Sequence, residues 1–437
     1  MLRTYVWSLV LLSACASFCW AAEPSSQPKE IPATRSLAKQ ALENLKTREA
    51  RLPLPPPTAE ERKPRTEGSG SGLGGGVVNN GRMRNLYLTE ELRSSNQRSG
   101  GQRPKDPHMT LENAFGVELF WIASRANNCH YCLGHQEMKL LAAGLEESRI
   151  AALDSDWSRF TPAEQAAYAL ARKLTLRPDR LTDADLTAVL KHYPPLQVLE
   201  MVSLVARYNA TNRWTDSLGI PQEDHRLFLT DTPKEFADAP SIVAPQRIET
   251  RPALPSREQT LAELEQCRSR KPRLPLLEVA AARDVMNDQN LTAPNWVRLL
   301  ANFPVTGKGQ IESYRAAAEK GTLSAELKAQ IAWAAAREDR AWYAIDQAAR
   351  CLKQLGYSED RVFGLDKLTA NANDPASEVV MFTRKLTSTP QAIADADIVR
   401  LRKHYKDGQV AEIVYHVTQA AFFDRVTEAA ALPLEPQ

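Results

Sequence analysis

Residues 172–213 read RKLTLRPDRLTDADLTAVLKHYPPLQVLEMVSLVARYNATNR, and residues 384–425 read RKLTSTPQAIADADIVRLRKHYKDGQVAEIVYHVTQAAFFDR. Aligned without a gap at an offset of 212, the two stretches agree at 17 of 42 positions, which chance does not produce. Lys191-His-Tyr193 returns as Lys403-His-Tyr405, and Asp183-Ala-Asp185 as Asp395-Ala-Asp397. The register extends upstream, pairing Trp121 with Trp333, Arg125 with Arg337, Tyr131 with Tyr343 and Gly144 with Gly356. Arg51-Leu-Pro-Leu54 reappears as Arg273-Leu-Pro-Leu276 at an offset of 222, so the first copy carries about ten more residues. A period this long means two tandem domains and excludes a solenoid.

Each copy reads as helices. Leu111 to Arg125 and Leu323 to Arg337 carry apolar residues at three-to-four spacing, the mark of a half-buried helix. Thr161-Pro162-Ala163-Glu164 has the form of a capping box with proline at the first helical position. Thr182 to Asp185 opens a second helix that ends at Tyr193, and Leu196 to Arg213 makes a third with Val198, Met201, Val202 and Val205 on one face. No segment alternates as a strand does, so the expected fold is all-α, a helical bundle built twice.

Composition sets the limits. Of 437 residues, 55 are Lys or Arg and 53 Asp or Glu, so no basic footprint for nucleic acid exists. A mean hydropathy of −0.40 excludes a polytopic membrane protein. Arg3 followed by the apolar run Tyr5 to Leu12 has the layout of an export signal over residues 1–22, cleaved after Ala21 or before Cys15. Leu12-Ser13-Ala14-Cys15 resembles a lipobox, in which case Cys15 is a lipid anchor. Both cuts predict an exported protein of the periplasm or cell envelope. Proline and glycine density predicts a linker region over 23–83 and a second linker over 233–256. These bracket one domain at 84–232 and another at 257–437. The glycines between 68 and 81 lack the strand and lysine of a phosphate loop, and read as linker.

Chemistry concentrates in Arg125-Ala-Asn-Asn-Cys129-His130-Tyr131-Cys132-Leu-Gly-His135-Gln-Glu137. Asn127 or Asn128 is expected to cap a helix with Cys129 and Cys132 in its first turn, on one face. Unpaired N–H groups there favour a thiolate. His135 lies one turn beyond Cys132, and Glu118 on the preceding helix is within reach if the two helices fold together. A zinc site would need a second ligand pair, which the sequence does not offer; a static disulfide is the other alternative in an oxidising compartment. Tyr131, His192 and His404 recur in both copies and read as structural. Cys267 and Cys351 are isolated and read as buried apolar thiols.

With its helix ending in Ala-Ser-Arg, the Asn-Asn-Cys-His-Tyr-Cys turn, the nearby histidine and the later Ala-Arg-Lys-Leu-Thr helix, the chain resembles the carboxymuconolactone decarboxylase superfamily, in its AhpD-like alkylhydroperoxidase branch. The resemblance covers about residues 84 to 225, with a diverged second copy over about 275 to 432. It implies a thiol peroxidase or thiol-disulfide oxidoreductase that needs no cofactor or metal, takes a hydroperoxide as substrate and is recharged by a thioredoxin-like or lipoyl-type dithiol. Carried over by position, Cys132 attacks peroxide, Cys129 resolves, His135 relays the proton and Glu118 is its carboxylate partner. The sequence departs from the family at two places: the histidine follows the second cysteine by three residues instead of four, and the family's usual glutamate position holds Val117.

In the second copy Cys129, Cys132, His135 and Glu118 become Ala341, Ala344, Gln347 and Gln330, while Trp333, Arg337 and Tyr343 stay. Loss of all four together is expected of groups that work as a unit. The second domain is thus expected to be inert and to stand in for a subunit interface; whether the whole chain forms a homo-oligomer stays open. The competing classes are a non-enzymatic exported interaction module and a decarboxylase-like lyase.

Overall fold

A computed structural model describes residues 29–58, 61, 78–93, 105–223, 231–248, 251–369, 371 and 373–436. The export signal, the lipobox and the glycine run at 68–76 lie outside the described residues. Within them the chain is all-helical; the only extended pairing is an isolated bridge between Thr34 and Pro240. None of these helices is long and apolar enough to cross a membrane.

The elements of the first half are α1 (Arg35–Asn44), α2 (Asn79–Tyr87), α3 (Asn113–Ala126), α4 (His130–Ala142), α5 (Glu147–Ser155), α6 (Pro162–Leu176), α7 (Asp183–Leu190), α8 (Pro195–Ser217) and the short α9 (Lys234–Ala237). The second half follows with α10 (Arg257–Arg268), α11 (Val279–Met286), α12 (Asn295–Leu300), α13 (Thr306–Glu319), α14 (Ala325–Asp339), α15 (Trp342–Gln354), α16 (Glu359–Gly364), α17 (Pro375–Ser388), α18 (Asp395–Arg402) and α19 (Asp407–Ala429). Helix boundaries fall where local chemistry demands. Thr161 caps α6 in the expected box with Glu164, and Pro195 opens α8 where its missing N–H is harmless.

The 212-residue repeat extends from sequence to contacts. α8 lies along α19, and the contacts across this seam are reciprocal. Arg213 donates to the Thr387 carbonyl and Arg425 to the Thr175 carbonyl, at 3.0 and 3.3 Å. Arg51 donates to Asp395, and its counterpart Arg273 to Asp183, the residue equivalent to Asp395, both at 2.6 Å. Each half thus grips the other through equivalent residues.

Parts of both stretches expected as linkers pack against the body among the described residues. Within 23–83, α1 buries Ala38 and Leu42, the 3₁₀ turn after it buries Leu45, and Leu52 follows at 0% exposure. This spacing is that of an amphipathic helix, which the flanking prolines mask. Arg35 anchors it: fully buried, it bonds Glu137 through two nitrogens at 2.5 and 2.6 Å and Glu147 at 2.9 Å. Within 233–256, Val243 is fully buried, Ser241 donates to Asp154, and the Val243 carbonyl accepts from Arg172 at 2.9 Å. Prolines limit how far helices run in these segments but do not stop them from packing, because their apolar side chains still gain by leaving water.

Candidate active site

The corner between α3 and α4 is built from backbone. Asn128 takes a left-handed conformation with φ of 55°, which asparagine tolerates better than most residues. That turn lets the Asn128 N–H reach the Arg125 carbonyl and the Cys129 N–H reach Ser124 at 2.9 Å, a Schellman ending for α3. Cys129 therefore ends one helix and is the N-cap of the next. Asn128, expected as a cap, instead ties down the corner: its side chain accepts from His130 Nε2 at 2.9 Å and donates to the Glu30 carbonyl at 2.9 Å. The histidine is the donor there because an amide oxygen only accepts, and burial, followed by the Lys29, Arg125 and Arg48 charges, pushes its pKa well below the ordinary imidazole value.

Cys129 and Cys132 are buried, at 1% and 2% exposure, and neither is in a disulfide. Both sulfurs lie 3.2 Å from one atom, Thr215 Oγ1 on α8. That hydroxyl also faces the Thr211 carbonyl at 3.1 Å. In the dithiol state it donates to the carbonyl and accepts from both thiols with its two lone pairs. When one thiol ionises, the hydroxyl turns and donates to the thiolate. Burial and the Asp216 carboxylate oppose ionisation of Cys129, yet a hydrogen bond from Cys132 above all, with the Lys29 ammonium and the Thr215 hydroxyl, holds it below the ordinary thiol value. Cys132, buried and beside that charge, is pushed well above. The electrostatics favour Cys129 as thiolate, the reverse of the roles the family resemblance implies.

His135 and Glu118 are not partners. His135 Nε2 sits 2.9 Å from Glu223 Oε2. Glu118 spends its oxygens on Arg149 at 2.8 Å and Tyr168 at 2.7 Å. The cause is the register of the helical hairpin. Trp121 bonds Glu137 across it, so Glu118 lies about a turn farther from the corner, while His135 lies nearer. The carboxylate beside His135 is therefore Glu223, not Glu118 as expected from the sequence. Sequence reading missed Glu223, Thr215 and Arg84. The last stacks its guanidinium 4.5 Å from the Trp214 ring, within electrostatic range of Cys132, and makes no ion pair among the described residues. A signal existed for two of them, since Glu223 and Thr215 return at the same offset as Glu435 and Thr427.

The second half shows which of these contacts are frame. Tyr131 donates to Glu223 at 2.7 Å and Tyr343 to Glu435 at 2.5 Å; the Asn79 and Asn295 amides cap the same carboxylates at 2.8 and 2.7 Å. Thr427 bonds only carbonyls of its own helix, because Ala341 and Ala344 replace the thiols. The frame is common to both halves, and the cysteines, His135 and Glu118 belong to the first alone. Among the described residues no group of three or more His, Cys, Asp or Glu is arranged to hold a metal ion.

Burial alone would raise Glu223, but the His135 hydrogen bond and charge, with Tyr131 and Asn79, hold it at about 2 against an ordinary 4.5. A carboxylate depressed in the folded state stabilises above the unfolded value, and loses that contribution as pH falls through the folded value. Glu223→Gln is thus expected to cost on the order of 2 kcal/mol at neutral pH. The melting-temperature gap between the two proteins should close as pH falls from 4.5 towards 2; a gap independent of pH would show that Glu223 is not ionised in the fold. No model of a known protein family matches this chain, and no curated protein matches it.

Proposed function

We propose that the protein is an exported thiol peroxidase of AhpD-like type, made of two tandem helical domains of which the first is active and the second has lost the chemistry. One observation carries the reading: two buried thiols, unbridged, share a single hydroxyl at a helix start, where one of them is held below the ordinary thiol value.

The chemistry follows from the arrangement. The Cys129 thiolate attacks the distal oxygen of ROOH; the S–O bond forms as the O–O bond breaks, and the departing alkoxide takes a proton to leave as ROH. The sulfenic acid on Cys129 is then attacked by the Cys132 sulfur, forming the disulfide and releasing water. A dithiol of thioredoxin or lipoyl type reduces the pair by exchange and is itself oxidised. His135, held by Glu223, moves the proton. The apolar leader supports export, so the dithiol would act outside the cytoplasm.

The test is turnover of an organic hydroperoxide by the purified protein with dithiothreitol, with mass spectrometry expected to show loss of two hydrogens from the peptide bearing residues 129–132. Absence of both turnover and the disulfide would remove the assignment. Alkylation settles the roles: in the reduced protein iodoacetamide should label Cys129 faster than Cys132, with a midpoint below the 9.0 of an ordinary thiol. Faster labelling of Cys132 would restore the order the family resemblance implies.

A further inference from the structure

Beside the cysteine corner lies a cavity of about 510 Å³, a volume usual for small-molecule sites. Its walls come from three places: the segment 29–51, His130 of the cysteine turn, and residues 393–395 of the second half. Leu37, Leu45 and Ile393 supply apolar surface, while Lys29, Arg48 and Arg51 bring positive charge and Glu30 and Asp395 negative.

Two of the three cations are spoken for. Lys29 bonds Asp216 at 2.6 Å, and Arg51 bonds Asp395 at 2.6 Å besides three carbonyls. Arg48 is different. Its guanidinium makes no hydrogen bond among the described residues, and its nearest acid, Asp216 Oδ1, stands 3.8 Å away and is already held by Lys29. Burial and the neighbouring Arg51 charge both penalise it.

The other half shows that this is not a feature of the frame. The counterpart of Arg48 is Arg270, and that of Asp216 is Glu428. Arg270 reaches both oxygens of Glu428, at 3.2 and 3.4 Å, because glutamate is one methylene longer. The half that keeps the cysteines has the shorter acid, gives it to a lysine, and leaves its arginine facing a cavity.

We propose that this cavity binds the substrate by a carboxylate, which makes the substrate class an acid-bearing, otherwise apolar organic hydroperoxide. The proposal rests on the peroxidase reading of the cysteine pair. Arg48 receives the carboxylate, and the hydrocarbon lies against Leu37, Leu45 and Ile393. His130, the residue after Cys129, is part of the cavity wall, so a molecule anchored at Arg48 lies against the cysteine corner.

The experiment compares a medium-chain hydroperoxide carrying a terminal carboxylate with its methyl ester, and separately measures octanoate binding by calorimetry, in wild type and Arg48→Gln. Expected is a preference of about tenfold or more for the acid in kcat/KM, carried by KM, and falling towards unity in Arg48→Gln, with octanoate affinity lowered about tenfold, as loss of a charge-assisted pair requires. An unchanged melting temperature guards against misfolding. Equal turnover of acid and ester with no octanoate binding overturns the carboxylate site and leaves the peroxidase standing. Octanoate binding that depends on Arg48 without any turnover overturns the peroxidase and leaves the site.

Discussion

Replacing Cys129 by serine is expected to lower hydroperoxide turnover by at least about a thousandfold, because a serine hydroxyl ionises far less readily than a thiol and its oxygen is a far weaker nucleophile towards the O–O bond. Cys132→Ser should fail differently. The first oxidation still runs once, leaving Cys129 as a sulfenic acid that finds no resolving thiol, so a dimedone adduct accumulates at Cys129 while steady-state turnover collapses. Thr215→Val removes the shared hydroxyl without touching either sulfur, and is expected to slow alkylation of Cys129 by raising its pKa. Ala341→Cys with Ala344→Cys in the second half should not create a second active centre, since Gln347 stands where His135 does in the first half. Full turnover in either single-cysteine variant would rule out the disulfide cycle.

The second large effect concerns stability. Arg35→Ala is expected to cost about 3–5 kcal/mol, the range for breaking a buried ion pair from one side. Glu137 and Glu147 would remain at 3% and 8% exposure with the shared cation gone. Lys39 would still reach Glu147 at 2.7 Å, but Glu137 would keep only Trp121 among its present partners. A double change, Arg35→Met with Glu137→Gln, should recover part of the loss, because the exposed fault is an unpaired buried charge more than missing volume. Denaturant unfolding measures both. A cost below about 1 kcal/mol for Arg35→Ala would show that α1 is dispensable to the body, as a linker should be.

Much of the site was readable and part of it was misassigned, for identifiable reasons. The corner residues lie within one turn of one another, so local spacing suffices to bring Cys129 and Cys132 to one face. Glu118 failed because sequence distance does not tell how far down a helical hairpin a side chain stands; the pairing of Trp121 with Glu137 does. Glu223 and Thr215 were invisible to motif reading, being more than 80 residues from the cysteines and brought back by α8 and the loop after it.

By itself the sequence determined the helical class, the internal repeat, the corner that carries the cysteines, and the absence of that chemistry from the second copy. All of these depend on residues near in the chain or on comparison of the chain with itself. Only the tertiary structure decided which carboxylate holds His135, that the segment 35–52 is part of the packed body, and that Arg48 faces a cavity with no hydrogen bond among the described residues and its acid 3.8 Å away. Those outcomes depend on which distant side chains arrive first at a buried charge, and a difference of one methylene between Asp216 and Glu428 is enough to change them.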